Sequence, residues 1–295
     1  MPPSVPDRHN ELAEHFGREG LRRFERASLL GARLPDTART LLEETGVPRG
    51  VASYFRAPGD LDPVALGVTA ARSSLPRPHE AMANWPRVGG DGLAHLCVRP
   101  DGAVQAVFLR AVAQDMFVDT DVSTLNAALL SLDRALPLIA AASGLAEAAA
   151  VLRDLTAELR RIDPAAFDAR ESWWPRVLDD VRHTLNFPFS AAFEYVDAAG
   201  AKQVVTDATG PGRAHPEEIV WRGLSAQGVK PEQVLRVHCE LEPCLMPGHY
   251  CAVWMQETFP RAEFTHSFDY GGSAESREEG LKELIIHSAT RARQG

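Results

Sequence analysis

His215-Pro216-Glu217-Glu218 and, further on, Glu240-Leu241-Glu242-Pro243-Cys244-Leu245-Met246-Pro247-Gly248-His249-Tyr250-Cys251 decide how the second half of the chain folds. An apolar helix pattern and a strand pattern run between them. The stretch offers one imidazole and two thiols, His215, Cys244 and Cys251, with Glu217 two residues after the histidine. Imidazole and thiolate together suit Zn²⁺, which takes such donors in a tetrahedron. Three protein ligands leave a fourth position for water, whose pKa the metal lowers from about 15.7 towards about 7. Glu217, a carboxylate nearby that is not itself a ligand, is placed to move protons between that water and a leaving amine.

The spacing of the two cysteines constrains the backbone. Six residues separate Cys244 from Cys251. On one straight helix the two would lie about 10.5 Å apart at about 1.5 Å rise per residue, too far for one zinc. Residues 245–250 therefore leave the helix if both cysteines bind, and Pro247-Gly248 supplies the break. A helix is expected to begin near His249 or Cys251.

At these residues the chain resembles the cytidine-deaminase-like superfamily, in its bacterial toxin-type branch. The family pattern is H-x-E followed by P-C-x-x-C. Here it reads His215-Pro216-Glu217 and Pro243-Cys244, with Cys251 in the place of the second Cys; the departure is the longer spacing. The resemblance implies a C-terminal α/β domain of three layers, a central sheet with helices. It implies Zn²⁺ on His215, Cys244 and Cys251, and Glu217 as the catalytic proton carrier. The reaction would be hydrolytic loss of ammonia from a cytosine or adenine base.

Other readings stay open on the residues alone. Cys239, Cys244 and Cys251 fall within thirteen residues, with His238 and His249 beside them. A closed structural zinc with Cys239 or a histidine as fourth ligand would use the same set. So would three buried apolar thiols without metal. Glu217 favours the open site, although a Glu in a first helical turn also suits the helix dipole.

Around this stretch the elements read β-β-α-β-α-β-α. Phe189–Val196 and Gln203–Thr206 flank a turn at Asp197–Gly200. Pro216 opens a helix that runs towards Gly228, Gln233–Leu241 is a strand, Cys251–Phe259 a helix and Ala262–Phe268 a strand. Ser276 with Glu279 is expected to cap the last helix. Phe268 and Tyr270, after the last strand, are candidates to line a base pocket. His183, His266 and His287 carry no expectation beyond core or surface.

The first half is patterned differently. Residues 1–10 read as a tail and Asn10–Leu30 as helix with a break at Gly17 or Gly20. Asp36 is expected to cap a helix stopped by Gly46 and Pro48. Val51–Phe55 and Val64–Val68 read as strands, residues 71–84 as loop and Val88–Gly92 as a turn. Leu93–Val98 and Val104–Leu109 around Pro100-Asp101-Gly102 make a hairpin, and Met116–Val118 adds a strand. Asp121 or Ser123 starts a helix through Leu136, and residues 145–162 form another, ended by Asp163-Pro164. Trp173 and Trp174, ahead of a further helix pattern, read as a plug between domains rather than a base-stacking platform.

These pieces resemble the SUKH superfamily, in its fourth immunity-protein subgroup, over about residues 10–180. The resemblance rests on L-P-D-T-A-R-T-L-L-E-E-T-G-V-P at 34–48, V-G-G-D-G-L-A-H-L-C-V at 88–98 and F-V-D-T-D-V-S-T-L at 117–125. It implies an α+β module that binds a protein partner, often a toxin. Residues 1–185 are thus expected as a SUKH-like binding or immunity domain and residues 186–295 as a zinc-dependent deaminase-like domain. The alternative is a non-catalytic immunity or interaction protein whose second half keeps only a structural zinc.

Composition narrows the partners. Net charge is −9, and residues 186–295 hold ten Lys/Arg against fifteen Asp/Glu, so neither half is basic. Tight nucleic-acid binding usually shows a clustered positive face. The expected substrate is a nucleoside, a nucleotide or an unpaired base of single-stranded nucleic acid. Lysine is confined to Lys202, Lys230 and Lys282, a bias of GC-rich bacterial genomes. No apolar run follows a basic start and none reaches membrane-spanning length, so no secretory signal and no membrane span are expected. Four cysteines, three of them clustered as candidate ligands, point to a reducing compartment, the cytoplasm.

Overall fold

The computed structural model describes residues 5–186 and 188–294. The chain divides into two compact units: Met1–Pro137 with Val151–Leu178, and Leu138–Ala150 with Asp179–Gly295.

The first unit is α+β. Six short strands, Gly50–Val51, Phe55–Arg56, Arg87–Gly90, His95–Val98, Val104–Val107 and Met116–Asp119, lie side by side in chain order. Each neighbouring pair is antiparallel. The expected hairpin is present: His95 pairs with Val107 and Val98 with Val104. Its turn works because Gly102 takes φ 95°, which favours glycine, and because Asp101 Oδ1 accepts the Ala103 N–H at 3.2 Å. The helix Val122–Ala141 starts where expected, with Asp121 Oδ1 accepting the Thr124 N–H at 2.8 Å. By length and composition it could cross a membrane. Its Val122, Leu125, Leu129 and Leu132 are instead buried in the unit's core.

Several local expectations are corrected here. The first helix is Val5–Phe16, so the tail reading fails from Val5 onward; residues 1–4 lie outside the described residues. Val64–Val68 is not a strand, since Leu66–Arg72 is helix. Leu66, Thr69 and Ala70 are buried while Val68 is 49% exposed, the i, i+3, i+4 spacing of a helix face; a short apolar run does not by itself separate the two periods. Asp36 is the first residue of its helix, and Pro35 holds the N-cap position. Val88–Gly90 belongs to a strand, with Gly89 pressed on Phe55: a Cβ there would lie 2.1 Å from the ring.

Asp91, just after that strand, anchors the unit. One carboxylate oxygen accepts the Ala94 N–H at 2.9 Å and the other accepts Trp173 Nε1–H at 2.8 Å. Trp174 donates to Asp119 at 2.9 Å. Both tryptophans are fully buried, packed edge to face with ring centroids 4.7 Å apart. With their polar edges satisfied inside this unit, they are core anchors and not an exposed stacking platform. Asp91→Ala orphans two buried donors and is expected to cost about 3 kcal/mol. An unchanged urea midpoint for the transition of this unit would overturn that assignment.

The second unit follows the expected order. Its sheet runs Lys202–Ala208, Ser190–Val196, Val234–Leu241, Glu263–Phe268 in space. The first three strands are antiparallel neighbours, and the last pairs parallel with Val234–Leu241. A parallel neighbour needs a crossover connection, and the helix Cys251–Thr258 lies in it. The helix Pro216–Ala226 packs on strands Ser190–Val196 and Lys202–Ala208, and Ala274–Gln294 packs on the other two. Val237 and Phe193 are fully buried in the unit's core, together with Val220, Met255, Phe259 and Leu284 among others. The last helix begins one turn earlier than read from sequence: Ser273 Oγ accepts the Ser276 N–H at 3.2 Å, Ser276 Oγ accepts the Gly271 N–H from the preceding turn at 3.2 Å, and Glu279 pairs with Lys282 at 3.0 Å.

Candidate metal centre

His215 lies just before the helix Pro216–Ala226, at its N-cap, in extended backbone (φ −63°, ψ 148°). Pro216 occupies the first helical position, where its missing N–H costs nothing. The histidine is thereby held at a helix mouth with its ring free of any capping role. Cys244 lies on the loop after strand Val234–Leu241, and Cys251 is the first residue of the next helix. Residues 245–250 are not helical. Gly248 at φ 83° and Tyr250 at φ 46° turn the chain, and the Ala252 N–H bonds the Cys244 carbonyl at 3.1 Å. A left-handed Tyr is uncommon and costs of order 1 kcal/mol or more. It sits where the loop must fold back to bring the second thiol beside the first.

The three donors converge. His215 Nδ1 is 3.4 Å from Cys244 Sγ and 3.5 Å from Cys251 Sγ. All three ligand atoms lie within 4.8 Å of one another, and all three residues are buried. Tetrahedral bonds of about 2.0 Å to nitrogen and about 2.3 Å to sulfur separate N from S by about 3.5 Å. The donor set and its spacing therefore fit zinc.

Glu217 is buried beside them, and its Oε2 finds no hydrogen-bond partner among the described residues. Burial pushes its carboxyl above the usual range, with the His215 charge opposing. Cys239 does not join the three ligand atoms; burial, followed by the Glu217 charge, pushes its thiol up. The Cys244 thiol is held well below its ordinary value. Burial works against this, but the hydrogen bond to Cys251 and the charge and hydrogen bond of His215 outweigh it. Cys251 moves the other way, through burial first and then its bond to Cys244. Thiolate character at Cys244 is what a metal ligand needs.

Around the donors lies a narrow recess of about 10 Å³, lined in part by Asp180, His183, Phe189, Glu217, Glu242 and Tyr270. Tyr270, one of the two candidate pocket residues, is in this lining, and its hydroxyl meets His183 Nδ1. Phe268 is not: its ring packs against His287, centroids 5.6 Å apart. Burial, followed by the Arg182 charge, takes His183 down to about 3, so its imidazole is neutral.

Asp180 and His183 carried no functional expectation from sequence, and His249 entered only as a possible fourth ligand of a closed zinc site. Asp180 is buried on the helix Trp173–Asn186, and its Oδ1 lies 3.1 Å from His215 Nε2. His249 stacks on His215 with centroids 3.9 Å apart. No spacing rule points from Asp180 to a histidine thirty-five residues on. The one local signal was His249 itself, standing between the two cysteines.

The family model described as SUKH-4 immunity protein matches residues 8–180, and the model described as Xanthomonas-like deaminase matches residues 188–287. No curated protein and no solved structure matches the chain.

Proposed function

We propose that this chain, which belongs to the SUKH-4 immunity protein family and carries a deaminase domain after it, is a zinc-dependent hydrolase that removes ammonia from a cytosine or adenine base. The observation that carries this reading is the convergence of His215, Cys244 and Cys251, with Glu217 Oε2, unpartnered among the described residues, beside them in the recess. A structural zinc has no use for a buried carboxylate with a free oxygen.

His215 Nδ1 and the sulfurs of Cys244 and Cys251 would hold the metal. When bound, zinc supplies the Lewis acidity that makes water a nucleophile at neutral pH. Glu217 accepts one proton of the water at Oε2 as the new C–O bond forms at the amino-bearing ring carbon, and passes it to the ring nitrogen. It then takes the proton of the new hydroxyl and passes it to the amino nitrogen as the C–N bond breaks, so base and water become the carbonyl product and ammonia. Tyr270 and His183 form part of the wall that a flat base would meet. The substrate is a nucleoside, a nucleotide or an unpaired base of a single strand, in keeping with the net negative charge of residues 186–295.

The SUKH-4 domain adds a protein partner, a toxin in the immunity setting of that family. Four free cysteines fit a reducing compartment, and we place the protein in the bacterial cytoplasm.

The test is zinc content of the purified chain together with ammonia release from a panel of nucleosides, nucleotides and single-stranded oligonucleotides. About one zinc per chain with ammonia released from at least one class is the expected result. Zinc with no turnover on any class would favour the non-catalytic immunity reading, and absence of zinc would overturn the metal centre.

A further inference from the structure

The recess wall contains a carboxylate that the deaminase match does not reach. Asp180 stands eight residues before residue 188, where that match begins, on the helix Trp173–Asn186. Its side chain is 1% exposed. Oδ1 faces His215 Nε2 at 3.1 Å and Oδ2 faces His249 Nε2 at 3.4 Å. The other nitrogen of His249 faces Glu218 Oε2 at 3.2 Å, and Glu218 is 23% exposed. A line of polar groups thus runs from His215 through Asp180 and His249 to Glu218 at the solvent edge. The two imidazoles are stacked within 6° of parallel, so the carboxylate spans both rings along one edge.

A buried carboxylate is costly unless it is paired. Here both oxygens face imidazole nitrogens, and the two rings in their present orientation offset part of that cost. The converse also holds. A buried His215 with Nδ1 turned to two sulfurs must place the N–H of Nε2 somewhere, and Asp180 receives it. A histidine that donates one N–H to a carboxylate has its tautomer and ring plane set, with the opposite nitrogen left as a lone-pair donor.

We infer that Asp180 is a positioning residue for the metal centre: it holds His215 with Nδ1 facing Cys244 and Cys251, and His249 and Glu218 hold Asp180 in turn. The functional unit therefore begins at or before Asp180, upstream of the segment the deaminase family describes. This deepens the proposed function and rests on its reading of His215, Cys244 and Cys251 as zinc ligands.

The experiment uses the full chain. Zinc affinity is measured by competition with a chromogenic chelator for wild type, Asp180→Asn and Glu218→Gln. Far-ultraviolet circular dichroism and the melting temperature of each metal-free chain serve as controls on folding. Cobalt(II) in place of zinc reports the ligand field through its visible bands. Asp180→Asn keeps the shape and removes the charge. It is expected to bind zinc about 10–100-fold more weakly, with altered cobalt bands and an unchanged metal-free fold. Glu218→Gln, at the outer end of the line, is expected to lose about threefold. Wild-type affinity and wild-type cobalt bands in Asp180→Asn would overturn the positioning role while leaving the three-ligand centre standing. If Asp180→Asn does not fold, Glu218→Gln decides, and equality with wild type overturns the inference. A wild-type chain that binds no zinc would overturn the ligand reading, and the positioning role with it.

Discussion

Glu217→Gln is expected to keep its zinc and to lose ammonia release by at least about 10²–10⁴-fold, the usual share of a positioned general acid–base group. The substitution removes one charge and leaves the side chain's length and shape unchanged. Glu217 is not among the three converging donors, so metal content should stay at the wild-type level. Its Oε2 is buried and finds no hydrogen-bond partner among the described residues, which is the condition of a group reserved for a reacting proton. The glutamine amide cannot accept a proton from water and return it to the leaving nitrogen. Zinc analysis and the ammonia assay on the same preparation check both halves. A variant that retains a tenth or more of the wild-type rate would remove Glu217 from the chemistry.

Cys244→Ala is expected to take zinc from about one per chain to near zero, and Cys239→Ala to leave it in place. The contrast follows from placement. Cys244 Sγ lies 3.4 Å from His215 Nδ1, whereas Cys239 is not among the converging ligand atoms. Both thiols are buried, so both substitutions leave a small void and comparable packing losses. Only the first should abolish the dependence of stability on metal. A ligand present at a thousand times its Kd stabilises the folded chain by about 4 kcal/mol. The wild-type melting temperature should therefore rise with added zinc and fall with chelator, and that of Cys244→Ala should respond to neither. Zinc lost in Cys239→Ala as well would favour a closed, four-ligand structural site.

Legibility of the fold differed between the two halves for a physical reason. In the second unit, elements alternate regularly and each carries a clear period. Val234, Val237, Cys239 and Leu241 are the buried positions of a strand bent by one bulge, and Val220 and Leu224 lie one helical turn apart. Such patterns are local, and the order of elements followed from them. In the first unit the strands are two to four residues long. A run of that length does not settle its own period, which is why Val64–Val68 read as a strand and folded as the start of a helix.

The residues of the candidate metal centre divide along the same line. His215, Glu217, Cys244 and Cys251 stand out as residue types in a short stretch, and the six-residue gap between the cysteines already required the chain to leave the helix at Pro247-Gly248. That much the sequence by itself determined, along with the order of elements in the second half and the hairpin at Pro100-Asp101-Gly102. Only the tertiary structure decided that Asp180 faces His215, that His249 shares that carboxylate with it, and that Tyr270 meets His183 while Phe268 turns to His287. Periodicity records which face of an element is apolar. Which buried carboxylate meets which distant imidazole is set by how elements pack, and a polar pair joined across a core leaves no local period to read.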